Sequence, residues 1–191
     1  MMKTTQSESA PAVEALLDAA LEQFGTHGFA KTTMTDIARA SGLSRTALYN
    51  HFAAKEDVFR AISSRLNAKV YEAVHRALRD GGDRDAQMLA MLHARVSWVY
   101  ELLHVSQFGR ELIDEKNKIC GGQVLAANDQ FSKLLTDIIE GYPNPAFDAA
   151  TLAAVLIQSV NGVLENAVSR EAAQRDVETL VRVFCRGLHS G

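Results

Sequence analysis

The sequence predicts an all-α protein, with a small N-terminal helix-turn-helix unit followed by a larger helical body. Three observations predict it. Apolar residues recur at helical spacing along most of the chain, with no period-two strand pattern. The three prolines, Pro11, Pro143 and Pro145, stand at apparent boundaries between elements. Residues 33–52 spell a capped helix, a glycine and a second capped helix.

Composition bounds the answer. The chain has 191 residues, 47% hydrophobic and 23% charged, with a net charge of −3. That is ordinary for a globular protein with a sizeable core and argues against disorder along the whole chain. A net negative chain contacts nucleic acid only through a local basic patch. The apolar run from Ala149 to Ile157 is halted by Gln158, well short of the 18 or so residues a spanning helix needs. The N-terminal MMKTTQSES has no apolar stretch behind its lysine, so no secretory signal and no membrane partner are expected. Cys120 and Cys185 form no CxxC, which speaks against a disulfide scaffold or a structural zinc site. A cytoplasmic, reduced setting is the expectation.

Residues 1–11 read as a disordered tail. Val13, Leu16, Leu17, Ala20, Leu21 and Phe24 then form one apolar helical stripe, and Gly28 suits the left-handed position after its end. Thr33 to Asp36 reads as a capping box. The helix it starts is short, because Gly42 follows closely. Ser44 caps another short helix, running to Phe52, with Leu48 and Phe52 directed inward against Leu21, Phe24, Ile37 and Ala38. These three short helices make residues 12–54 the predicted helix-turn-helix domain. Residues 55–191 make the helical body: a long helix from Lys55 to about Leu78, stopped by Asp80-Gly81-Gly82-Asp83; a helix over roughly 84–104; less regular helix to Gly141 with a break near Gly121-Gly122; a helix opened by Asn144-Pro145 or by Asp148 and reaching Val168; and a last helix from about Glu171 to Leu188.

The second helix of a helix-turn-helix enters the DNA major groove. Here its outward residues are Arg45, Thr46, Tyr49 and Asn50. An arginine pairs with guanine, an asparagine with adenine, and a threonine methyl with thymine. Tyr49 and His51 are phosphate donors, and Lys55 opens a helix whose free N–H groups favour an anion. Residues 31–55 carry four bases, Lys31, Arg39, Arg45 and Lys55, against the single acid Asp36, a local +3. Double-stranded DNA is therefore the predicted partner. The competing reading is a solvated face on ordinary capped helices.

The stretch LLDAALEQFGTHGFAKTTMTDIARASGLSRTALYNHFAAKEDVFRAI resembles the TetR family of bacterial transcription regulators over about a quarter of the chain. The shared elements are ALEQFGTHGFAKTTMTDIA, SGLSRTALYNHF and Lys55 followed by acids. The resemblance implies a DNA-binding N-terminal domain and a C-terminal domain for effector binding and dimerisation. By position it puts Thr33, Tyr49, His51 and Lys55 at phosphates, with Ser44 opening the recognition helix and Arg45, Thr46 and Asn50 nearest the bases. Two departures stand out. The first helix has Glu14 and Asp18 where the family often has a base, and Ala54 replaces the serine that often precedes the lysine.

In the body, Leu152, Val155, Leu156, Val160 and Val163 form one apolar stripe and Leu180 and Phe184 belong to another. The resemblance implies that the last two helices of each subunit build a homodimer, and a two-fold operator read by paired recognition helices fits that expectation. Candidate lining residues for a small-molecule effector are Trp98, His104, Phe108, Cys120, Asn128 and Phe131, with Gln158, Asn161 and Glu165 on a polar helical face; aromatic walls with few polar groups mark such sites. The competing reading makes each of these an ordinary core, cross-dimer or surface position.

The chain is expected not to be an enzyme, and to hold no cofactor or metal. The sharpest alternative is a di-iron or di-manganese oxidase or oxygenase built on Glu72…His75 and Glu101…His104, each pair at i, i+3. A third reading is a ligand-free DNA-binding regulator whose body binds a protein. No GxSxG, GxGxxG or GxxxxGK[ST] motif occurs. The expectation is a ligand-released homodimeric repressor.

Overall fold

The computed structural model describes residues 9–80, 82–104, 108–143 and 147–190, with side chains at 9–11, 77, 98 and 101–104 left aside. All regular structure among the described residues is helical: α1 Ser9–His27, α2 Met34–Ala40, α3 Arg45–His51, α4 Lys55–Arg79, α5 Arg84–His104, α6 Gly109–Ile119, α7 Gly121–Glu140, α8 Ala149–Asn166 and α9 Arg170–His189. The first helix thus begins at Ser9, so residues 9–11 are not part of a tail. Pro11 is tolerated there because a helix's first turn has no partner for its N–H groups. Residues 1–8, and Asn144-Pro145 as a possible cap, lie outside the described residues.

Local chemistry sets four of the described helix starts. Thr33 caps α2 in a full capping box with Asp36. Ser44, Asp148 and Ser169 accept from the backbone of Ala47, Thr151 and Ala172 at the heads of α3, α8 and α9. Gly28 and Gly42 take φ of +79° and +71°, left-handed values that few other residues adopt readily. They turn the chain after α1 and between α2 and α3. Cys120, with its N–H on the Lys116 carbonyl, separates α6 from α7.

The chain divides into two compact units, Met1–Leu66 with Leu102–Gly121, and Asn67–Glu101 with Gly122–Gly191. The first unit therefore holds α6 as well as α1 to α3 and the head of α4, whereas the sequence alone places a boundary after residue 54. The reason is tertiary. The Glu111 carboxylate accepts from the Ala30 N–H at 3.3 Å, and Arg60 of α4 donates to the Ile119 carbonyl. Leu112 and Cys120 are buried, as are Leu16, Phe24, Ile37, Leu48 and Ile62. Phe24, Phe29 and Phe59 form a ring cluster with centroids 5.1–5.5 Å apart.

The second unit has its own core, with Met88, Met91, Leu92 and Val96 of α5, Leu135 and Ile139 of α7, Leu156 and Val160 of α8, and Val177 and Val181 of α9. At one end Tyr142 donates to Asp85 at 2.6 Å, and the His189 Nε2 lies 3.0 Å from the same carboxylate oxygen. Burial would raise the Asp85 pKa, but the Tyr142 and His189 hydrogen bonds outweigh it and hold the carboxyl below its ordinary value. Burial also pushes the neighbouring Cys185 thiol up to about 11. A cleft of about 610 Å³ opens here, lined among others by Leu78, Asp85, Leu134, Tyr142 and His189.

Candidate nucleic-acid interface

In α3 a seven-residue helix divides cleanly. Leu48 is wholly buried and anchors it to the first unit, while Arg45, Thr46, Tyr49, Asn50 and His51 are exposed. Arg45, Thr46, Tyr49 and Asn50 stand at i, i+1, i+4 and i+5, which is one face of a helix. Tyr49, at 46% exposure, is a large ring left in solvent, and large exposed groups flanked by polar ones mark a binding surface. Phe52, at the C-cap, is only half-buried, so its inward role is weaker than the sequence predicts.

The residues flanking this face are tied into the scaffold. Both donors of Thr33, its N–H and its hydroxyl, go to Asp36 Oδ2, at 3.0 and 2.6 Å. Those bonds hold the Asp36 carboxyl below its ordinary pKa. The Ser44 oxygen accepts the Ala47 N–H at 3.1 Å. The Lys55 ammonium donates to the carbonyls of Phe29, Ala30 and Thr32, at 2.8, 3.1 and 3.1 Å, and lies 4.5 Å from the Phe29 ring centroid. All three ammonium protons are thus directed at backbone. Where sequence reading expects Thr33 and Lys55 to reach for phosphates, the structure puts their donors to work holding the loop and helix starts in place.

Both departures from the family pattern acquire a local explanation. Glu14 and Asp18 pair with Arg65 at 3.0 and 2.8 Å, so the acids of α1 clasp α4. Ala54 has no side-chain cap to offer, but its N–H is taken by Asp57 Oδ2 at 3.1 Å, which keeps one half of the box. Arg39, counted among the local bases, sits 3.5 Å from Asp36.

The effector candidates do not gather. The side chains of Trp98 and His104 lie outside the described residues. Phe108 and Cys120 belong to the first unit, Cys120 in its core. Asn128 and Phe131 share α7 and meet a residue that sequence reading missed, Arg95: its Nη1 is 3.4 Å from Asn128 Oδ1 and its guanidinium 4.7 Å from the Phe131 centroid. The missed signal is a cation on the apolar stripe of α5. Gln158, Asn161 and Glu165 are exposed along α8. None of the described candidates lines the cleft beside Tyr142.

The dimer candidates split in two. Leu156 and Val160 are buried in the core of their own unit, correcting their assignment to an outer stripe. Val155 is 51% exposed, and Leu152, Val163, Leu180 and Phe184 are half-buried. Val183, which the sequence places on the same apolar stripe of α9 as Leu180 and Phe184, is 65% exposed. Of the metal alternative, Glu72 pairs with Arg76, the Glu101 and His104 side chains lie outside the described residues, and among the described residues no three metal-ligating side chains come together. No helix among the described residues is long and apolar enough to cross a membrane.

A helix-turn-helix with an exposed polar recognition face, carried on an all-helical chain, defines a DNA-binding protein of the regulator class. The model for bacterial regulatory proteins of the tetR family matches residues 16–62. Across 181 residues the chain is 26% identical to the HTH-type transcriptional regulator AcrR of Shigella flexneri, covering 87% of this chain and 82% of that protein. It is 26% identical to the HTH-type transcriptional repressor BepR of Brucella suis, covering 85% and 83% respectively. In fold it is similar to a TetR-family transcriptional regulator of Streptomyces coelicolor, with a TM-score of 0.75 at 18% identity, over 99% of this chain and 98% of the other. Residues 16–62 thus match the DNA-binding part of the tetR-family regulators, and most of the chain is similar to transcriptional regulators of that kind, which are DNA-binding proteins and not enzymes.

Proposed function

We propose that the protein is a cytoplasmic homodimeric repressor whose grip on a two-fold operator is released by a small-molecule effector. The observation that carries this reading is the apolar face of α8 and α9 that the core covers only in part, with Val155 and Val183 left exposed. Leu152, Val155 and Val163 share one stripe of α8 beside the buried one, and Leu180 and Val183 stand on α9. Exposed apolar groups gathered on two neighbouring helices fit a surface covered by a second copy. A dimer also supplies what one seven-residue recognition helix lacks, a second half-site one helical turn away. Arg45, Thr46 and Asn50 read bases, with Tyr49, His51 and the N–H groups at the head of α4 at phosphates. The repressor sign follows the similarity to BepR, which extends over most of both chains.

The effector acts through differential affinity: it must bind better to a conformer that binds DNA worse, and the coupling is reciprocal. Helix α4 has residues in both units, which makes it the proposed carrier of that coupling. In-vitro selection from random duplexes, followed by sedimentation of the complex, tests the reading. The expected result is a symmetric sequence holding two chains, with half-site centres about 34–36 Å apart or a multiple of that. Selection of an asymmetric site held by a single chain would overturn it.

A further inference from the structure

The residue Arg95 leads beyond the regulator reading, and the inference rests on that reading only in placing an effector site in the second unit. Met88, Met91, Leu92 and Val96 give α5 a fully buried stripe, and Arg95 stands within it, one turn from Met91 and Leu92. Helical periodicity asks for an apolar residue there. The guanidinium instead covers the Phe131 ring at 4.7 Å, its Nη1 meets only the amide oxygen of Asn128 at 3.4 Å, and its Nε is buried with no partner. Among the described residues no carboxylate lies within ion-pair distance of it. Arg65, the other shielded arginine described above, has two acids.

A lysine or histidine in such a place can discharge by losing its proton. An arginine cannot, although burial lowers its pKa. Arg65 shares the partnerless Nε but has its acids, whereas the half-buried, permanently charged fork of Arg95, lacking a carboxylate among the described residues, calls for an anion from outside the chain at its solvent-facing Nη end. The fork geometry matches a carboxylate through two parallel hydrogen bonds. A single cation calls for a single negative charge. The Phe131 ring and the apolar neighbours on α5 call for an apolar remainder. Asn128 is exposed, so the charged tip reaches solvent and a ligand has a way in. We infer that Arg95, with Asn128 and Phe131, anchors the carboxylate of a monoanionic, otherwise apolar ligand.

Decanoate and its neutral counterpart decanol are suitable probes. Binding is followed on the full chain without DNA, by calorimetry and by the fluorescence of the sole tryptophan, Trp98, three residues along α5 from Arg95. The expected result is decanoate binding about tenfold or more tighter than decanol. R95L should erase that preference while the far-ultraviolet dichroism stays helical, R95K should keep part of it, and the melting temperature of ligand-free R95L should rise. Equal affinity for the two probes, no binding of either, or a preference that survives R95L would overturn the assignment. So would a lowered R95L melting temperature with selectivity intact, the mark of a structural arginine. The two readings fail separately. Decanoate that binds through Arg95 without altering DNA affinity sinks effector release by this ligand class but not the site. Release of DNA by some other compound, with decanoate unbound, does the opposite.

Discussion

The ammonium of Lys55 stands 4.5 Å from the centroid of the Phe29 ring and donates to the carbonyl of that same residue at 2.8 Å. With the Ala30 and Thr32 carbonyls also satisfied, this side chain closes the loop between α1 and α2 onto the head of α4. Removing it leaves three carbonyls without their charged donor. Lys55→Ala should therefore lower unfolding stability by about 2 kcal/mol, the scale of charge-assisted hydrogen bonds. Urea unfolding measures it. A variant that melts like the parent but loses affinity for all duplexes alike would show that the ammonium serves phosphate instead.

Arg45 is exposed at the first turn of α3 and stands on the polar face with Asn50. Arg45→Ala should weaken operator binding by about 1–3 kcal/mol and relax preference at one base pair, with affinity for random duplex falling far less. Competition binding at fixed salt reads both. Equal losses on operator and random DNA would remove Arg45 from base reading.

Val155 and Val183 are 51% and 65% exposed on α8 and α9. Val155→Glu combined with Val183→Glu should give a monomer in sedimentation, with unchanged helical dichroism, because surface substitutions usually cost under about 0.5 kcal/mol in the protomer itself. Operator affinity should fall with the dimer. A double variant that still sediments as two chains would move the interface elsewhere.

Tyr142 and Asp85 give a pH dependence. The Asp85 pKa is lowered in the folded chain, so its contribution is present above the unfolded value of about 3.9 and is lost as pH falls through the folded value. Tyr142→Phe removes the 2.6 Å donor and lets the Asp85 pKa rise. The variant should be less stable at neutral pH and should lose less on acidification below about pH 4. Urea midpoints across that range decide it, and superimposable acid limbs would show the hydrogen bond to be energetically silent.

What the sequence disclosed follows the range of the interactions. The Thr33–Asp36 box, the Ser44 cap and the glycine turns involve neighbours along the chain, and the letters alone reveal them. The inward turn of Lys55 does not, because its acceptors lie 23–26 residues away and only the fold brings them under the ammonium. Helix α8 shows a different limit. Its apolar residues form a band so wide that the sequence reads them as one stripe, and periodicity does not say which edge of it meets the core. Leu156 and Val160 went to the inside and Val155 to the outside. Arg95 was overlooked because a cation in an apolar helix reads as an interruption, when its surroundings make it the most unusual charge in the second unit.

The bond between Glu111 and Ala30 has a practical meaning for anyone cutting this gene. A fragment ending at residue 54 would keep the whole helix-turn-helix, yet it would lack Leu112 and Cys120, which are buried in the same unit, as well as Val58, Phe59 and Ile62. The reading head is assembled from two distant stretches of chain, and a graft onto another body must carry both.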